Sequence, residues 1–173
     1  MAGRTPNEAV KAFAKPIQTA LTCFADGRVQ VDSYDPGVEG VLQFNGAEPV
    51  RLRGASRVHL QVAMRYCIIN NDEAQKPWKV HHWLGLFATE FRQGTCRRLP
   101  LASQITPDIP FPHLHVYPET VRRHYPTGRV LIEDVLGLAV EMGAEPRDKE
   151  KWARVSKRNI ENFKKGATWG LPG

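Results

Sequence analysis

The chain has 173 residues, 42% of them apolar and 24% charged, with 24 Lys and Arg against 18 Asp and Glu for a net charge of +6. That balance excludes a disordered tail and a collagen-like fibre, and no apolar run approaches the roughly 18 residues that span a bilayer. The length suits a single domain with its own core. Cys23, Cys67 and Cys96 are odd in number and widely spaced. They make neither a disulfide framework nor a zinc knuckle, so structural thiols in a reducing cytoplasm are expected.

The N-terminal residues lead into an amphipathic pattern rather than the apolar block of a signal peptide. Thr5-Pro6-Asn7-Glu8 reads as a capping box with proline at the first helical position. Val10, Phe13, Ile17 and Leu21 then follow helical spacing. Pro16 removes a hydrogen bond inside that pattern, which predicts a bent helix or two short ones.

From Arg28 the period changes to two. Val29 and Val31 alternate with polar residues, and Asp35-Pro36-Gly37 reads as a turn. Val41-Leu42-Gln43-Phe44 and Val50-Arg51-Leu52-Arg53 flank Asn45-Gly46, a hairpin signal with a loop longer than the minimum. Residues 57–69 form a long strand candidate with Val58, Leu60, Val62, Met64, Tyr66 and Ile68 on one face and His59, Gln61, Arg65 and Cys67 on the other. Residues 78–91 form a second, and the polar loop between them predicts an antiparallel hairpin. A short strand at 113–117 follows an irregular stretch, 94–110.

Ile132 opens a helix with Glu133 and Asp134 in its favourable first turn, Val135, Leu138 and Met142 as its apolar stripe, and Gly143 at its end. The last helix runs from about 147 to 165, with Trp152, Val155, Ile160 and Phe163 on one face. It holds eight basic residues against three acidic, most of the excess charge of the chain. The whole reads as one α+β domain: an N-terminal helix, a twisted antiparallel sheet of five or six strands and two C-terminal helices.

The chemistry concentrates in Pro110-Phe111-Pro112-His113-Leu114-His115-Val116-Tyr117. On a strand, His113 and His115 share a face, and two imidazoles side by side suit metal binding, proton transfer near pH 7 or a hydrogen-bonded structural role. The pair followed by Glu119 is similar to the first cupin motif, which binds a transition metal. However, Pro107 and Pro126 stand where that motif has glycines, and no histidine suitably follows Pro126-Thr127-Gly128. No metal or cofactor is therefore expected. As acid and base, the histidines suit RNA cleavage, in which one group takes the 2′-OH proton and the other protonates the leaving oxygen. His124 is a third candidate imidazole. Arg65, Arg122, Arg123 and Arg129 are candidate cations for the phosphate. His81-His82 is weaker as a site, because neighbours on a strand point to opposite faces.

The long hairpin, His113-Leu114-His115 and the helix from Ile132 resemble, in that order, the TumE-type toxins of bacterial toxin–antitoxin pairs. The resemblance covers about the middle 90 residues and is architectural, with the histidine pair as its residue-level match. The segments 111–116 and 126–130, with Thr168-Trp169, also look similar to uncharacterised bacterial proteins of this size. The toxin resemblance implies a metal-independent RNA-cleaving protein that uses His113 and His115, with a cognate antitoxin as partner, and the chemistry of cleavage adds His124, Arg65 and Arg129 as candidate site residues. The alternative is a non-catalytic protein that binds RNA, DNA or an acidic protein through Lys151, Arg154, Arg158 and Lys165 on the last helix. Neither reading involves a membrane.

Overall fold

The computed structural model of the chain describes residues 2–54, 58–70, 77–91, 113–116, 123–126 and 131–166. The stretch 94–110 with Cys96, and Arg122 and Arg129, lie outside the described residues. The architecture is α+β. A curled six-stranded antiparallel sheet carries one N-terminal and two C-terminal helices, and a two-stranded ribbon forms a separate sheet. Among the described residues, no helix is long and apolar enough to cross a membrane.

Strand β1 (Ala2–Gly3) leads into helix α1 (Pro6–Leu21). The Thr5 hydroxyl accepts from the Glu8 N–H at 3.2 Å, and the Glu8 carboxylate accepts in return from the Arg4 N–H at 2.8 Å. The capping box is present, with its return bond one residue before the cap. Pro16 does not divide the helix. Phe13, Ile17, Ala20 and Leu21, on either side of it, are all buried on one face. Their packing holds the helix through the missing bond, since each large side chain buried contributes about 1.5–3 kcal/mol.

The sheet is ordered β1, β6 (Trp78–Phe91), β5 (Val58–Asn70), β3 (Glu39–Phe44), β2 (Val29–Val31), with β4 (Val50–Arg51) also pairing β5. Strands β2 (Val29–Val31) and β3 (Glu39–Phe44) are joined through the turn at Asp35-Pro36-Gly37, where Gly37 takes a φ of 78°. The expected hairpin across Asn45-Gly46 does not form. β3 and β4 (Val50–Arg51) instead lie end to end against β5 (Val58–Asn70), pairing with different parts of it. Asn45 explains the difference. Its side chain accepts from the Arg28 N–H at 3.0 Å and donates to the Asp26 C=O at 3.1 Å. The turn is thereby tied to the chain after α1, with Gly46 at a φ of 66°.

β5 and β6 (Trp78–Phe91) form the long hairpin, with a register shift after Arg65 that leaves Trp83 unpaired. Leu60, Val62, Met64, Tyr66 and Ile68 all face the core. Tyr66 lies over Gly40, its partner on β3, and its hydroxyl donates to the Ser33 C=O.

The ribbon consists of β7 (His113–Val116) and β8 (Arg123–Pro126). Helix α2 (Ile132–Glu141) follows, and the Asp134 carboxylate accepts from the Leu131 N–H at 2.8 Å at its start. Gly143, at a φ of 93°, ends it, and the Ala144 N–H reaches back to the Ala139 C=O. Its buried stripe is Ile132, Val135, Leu136 and Ala139, while Leu138 and Met142 are exposed. Two stripes of helical period were available, and contact with the core selected the one that includes Leu136. Helix α3 (Lys149–Gly166) starts where Asp148 accepts from the Lys151 N–H at 2.8 Å.

Two glycines should respond oppositely to alanine. A Cβ at Gly40 would stand 2.5 Å from Tyr66 Cζ, so Gly40→Ala should cost about 1–3 kcal/mol in urea unfolding. Gly137, inside α2 with open space around it, should gain about 0.5–1 kcal/mol on the same change.

Candidate functional site

The ribbon register pairs His113 with Pro126, Leu114 with Tyr125, His115 with His124 and Val116 with Arg123. Directly opposed residues of an antiparallel pair share a face, and faces alternate along each strand. His113, His115 and His124 therefore fall on one face. Leu114, Val116, Tyr125 and Arg123 fall on the other. Three of the four positions on the first face, which Pro126 completes, are therefore imidazoles. The register brings His124 beside the histidine pair at the level of the backbone.

The candidate cations are distributed differently. Arg65 lies on the six-stranded sheet rather than on the ribbon, and its guanidinium pairs with Glu39 at 3.1 Å, both side chains about 40% exposed. Arg123 belongs to the ribbon face opposite the histidines.

On the sheet face away from the core, Glu39, Cys67 and His81 occupy one row across β3, β5 and β6. Burial, with Glu39 adding to it, pushes the Cys67 thiol above its ordinary pKa. A thiol shifted that way is not an activated nucleophile. His82 pairs with Tyr66, on the opposite face from His81. Cys23 is buried, and burial raises its pKa too.

On α3, Lys151, Arg154 and Arg158 are exposed, and Lys165 lies on the last turn of the same helix. Arg154 has an ion pair with Glu150 at 3.8 Å. Such an exposed pair contributes little and leaves the positive face largely unneutralised. Trp152 meets Phe24 edge to face at 4.9 Å, and Val155 is buried.

The sequence pattern did not single out Asn159 or the burial of Glu133. Asn159 is buried, and its Nδ2 donates to Glu133 Oε1 at 2.7 Å and to the Pro16 C=O at 3.2 Å, joining all three helices. The pair borders a small cavity of about 60 Å³ lined by Phe13, Ile17, Met64 and Phe163. Burial pushes the Glu133 carboxyl above its ordinary pKa, against the opposing pull of the Asn159 hydrogen bond. The one available signal was position: Glu133 follows Ile132, and Asn159 is one turn beyond Val155 on the apolar side.

The chain was compared with known protein families, with characterised proteins and with solved structures, and it matches none of them. The site is therefore read from its own residues.

Folding raises the Glu133 pKa, so the native state keeps this proton to higher pH than the unfolded chain does. Stability from this group is complete below the ordinary carboxyl range and is lost as pH rises through the raised native value. Glu133→Gln should accordingly melt at a higher temperature than the parent at pH 8, and the difference should vanish near pH 3.5. Asn159→Leu removes the donor from a buried acid and should cost about 1–3 kcal/mol at pH 7.

Proposed function

We propose that the chain is a toxin-like protein that cleaves RNA without a metal, using the histidine face of the ribbon. The register that sets His115 opposite His124, with His113 beside them, supports this reading. Cβ atoms of directly opposed residues stand about 5 Å apart in any antiparallel pair, so two ring nitrogens can flank one scissile phosphodiester. The neutral imidazole takes the 2′-OH proton as O2′ attacks phosphorus. The protonated one gives its proton to the departing 5′ oxygen, leaving a 2′,3′-cyclic phosphate and a 5′-OH. A cation must still balance the phosphate, and Arg129 and Arg65 remain the proposed candidates. Growth arrest and an acidic antitoxin as partner belong to the same reading.

The exposed Lys151, Arg154 and Arg158 favour a second reading, in which α3 binds the nucleic-acid backbone without any cleavage. The two readings separate by experiment.

Purified protein should convert RNA to cyclic-phosphate ends with a bell-shaped pH dependence. His115→Ala or His124→Ala should lower the rate about 100-fold or more, and the rate should be unchanged by EDTA. Loss of cleavage in EDTA would replace acid–base chemistry with a metal held by the three imidazoles. Intact RNA at every pH would overturn cleavage. Reversing Lys151, Arg154 and Arg158 to Glu should weaken RNA binding and flatten its dependence on salt, with a slope smaller by about 1–3. Binding indifferent to salt would remove α3 from the interface.

A further inference from the structure

One edge of the six-stranded sheet is built to take another strand. β2 is the edge strand, and its hydrogen bonds to β3 run through Arg28, Gln30 and Asp32: the Arg28 C=O accepts from Asn45 at 3.1 Å and the Asp32 N–H donates to Val41 at 3.2 Å. By the alternation of antiparallel pairing, the peptide groups of Val29 and Val31 point the other way, away from the sheet.

The first of these outward groups is already met by a side chain that imitates a peptide. Gln18 of α1 accepts from the Val29 N–H at 2.6 Å and donates to the Gly27 C=O at 3.0 Å. No described residue pairs with the next groups along the edge, the Val29 C=O and the N–H and C=O of Val31. Beside them runs a groove of about 430 Å³ between α1 and β2, with Val10, Ala14, Val29 and Val31 on its apolar wall and Tyr34 at its end.

The rim sets the charge of the occupant. Lys11 and Lys15 line the groove and are both exposed, one helical turn apart. Like charges at that spacing repel each other. Carboxylates of a bound chain would relieve the repulsion. A second copy of β2 would instead bring two more lysines to the same rim.

We infer that the β2 edge and the α1 groove form a docking site for an extended segment of a partner protein that carries apolar and acidic side chains together on the side facing α1. The segment adds a strand by pairing with Val31, and on its α1-facing side it seats an apolar side chain against Ala14, Val29 and Val31 and meets Lys11 and Lys15 with the carboxylates that flank it. This inference is independent of the chemistry of the ribbon, and its test involves no cleavage assay.

The probe is a blocked seven-residue peptide with glutamate, valine and glutamate at positions 2, 4 and 6 and threonine at the others, titrated into ¹⁵N-labelled full chain and followed by NMR. Shifts should concentrate at 10–18 and 28–34. Replacing the glutamates by lysine, or N-methylating the central residue, should weaken binding at least tenfold. The double variant Lys11→Glu, Lys15→Glu should do the same, whereas Lys157→Glu on α3 should leave it unchanged. If the double variant fails to fold, the two altered peptides still decide. No binding at millimolar peptide, shifts centred elsewhere or equal binding of the lysine peptide would overturn the proposal. Concentration-dependent shifts at Val31 without peptide would overturn it in favour of self-pairing, and the same shifts with an RNA oligonucleotide in favour of a nucleic-acid groove.

Discussion

The alternation along β5 is the constraint to which the other elements answer. Leu60, Val62, Met64, Tyr66 and Ile68 fill the core from this one strand, and β3, β4 and β6 all take their register from it. A slip of one residue would present His59, Gln61, Arg65 and Cys67 to the core instead, so the register admits no neighbouring solution. Tyr66 tightens it further. Its ring needs the missing side chain of Gly40 and its hydroxyl needs the Ser33 carbonyl, which fixes β3 and the turn before it.

The helices attach to that sheet by different means. α1 is held by apolar packing strong enough to carry Pro16 in its interior. The attachment of α3 is more polar: Asn159 bridges to the buried Glu133 and to the Pro16 carbonyl, while Trp152 leans on Phe24. Arg147, just before α3, grips Asp26 with both guanidinium nitrogens and holds that carboxyl below its ordinary range. A buried acid with one good partner supports packing less than an apolar side chain of the same size would, but it fixes where the partner must sit.

Chemistry and stability are consequently kept in different parts of the chain. Core side chains come from one face of the sheet and the helices that cover it. Among the described residues, a positive face on α3 and a partly covered edge at β2 stay outside that core, and the three histidine positions belong to the separate two-stranded sheet. Both surfaces are positive, with Lys11 and Lys15 exposed beside the edge and Lys151, Arg154 and Arg158 exposed on α3.

Much of this was legible in the sequence because it depends on period alone. The alternation at 58–69, the helix cap at Thr5, the Gly143 stop and the side-by-side placement of His113 and His115 follow from local geometry, and the α+β architecture with them. What local period could not decide was which of two equivalent choices long-range contact would select. Leu138 and Met142 match a helical stripe as well as Leu136 and Ala139 do, and only packing against the core exposed the first pair. Asn45-Gly46 reads as a hairpin, until bonds from Asn45 to Asp26 and Arg28 send the chain along β5. The pairing of His115 with His124, the Glu133–Asn159 bridge across 26 residues and the half-covered edge at Val29 and Val31 join distant segments. Sequence by itself determined the faces of the elements, because a side chain's direction follows from its own backbone. Tertiary structure decided which faces meet, because that depends on contacts between residues far apart in the chain.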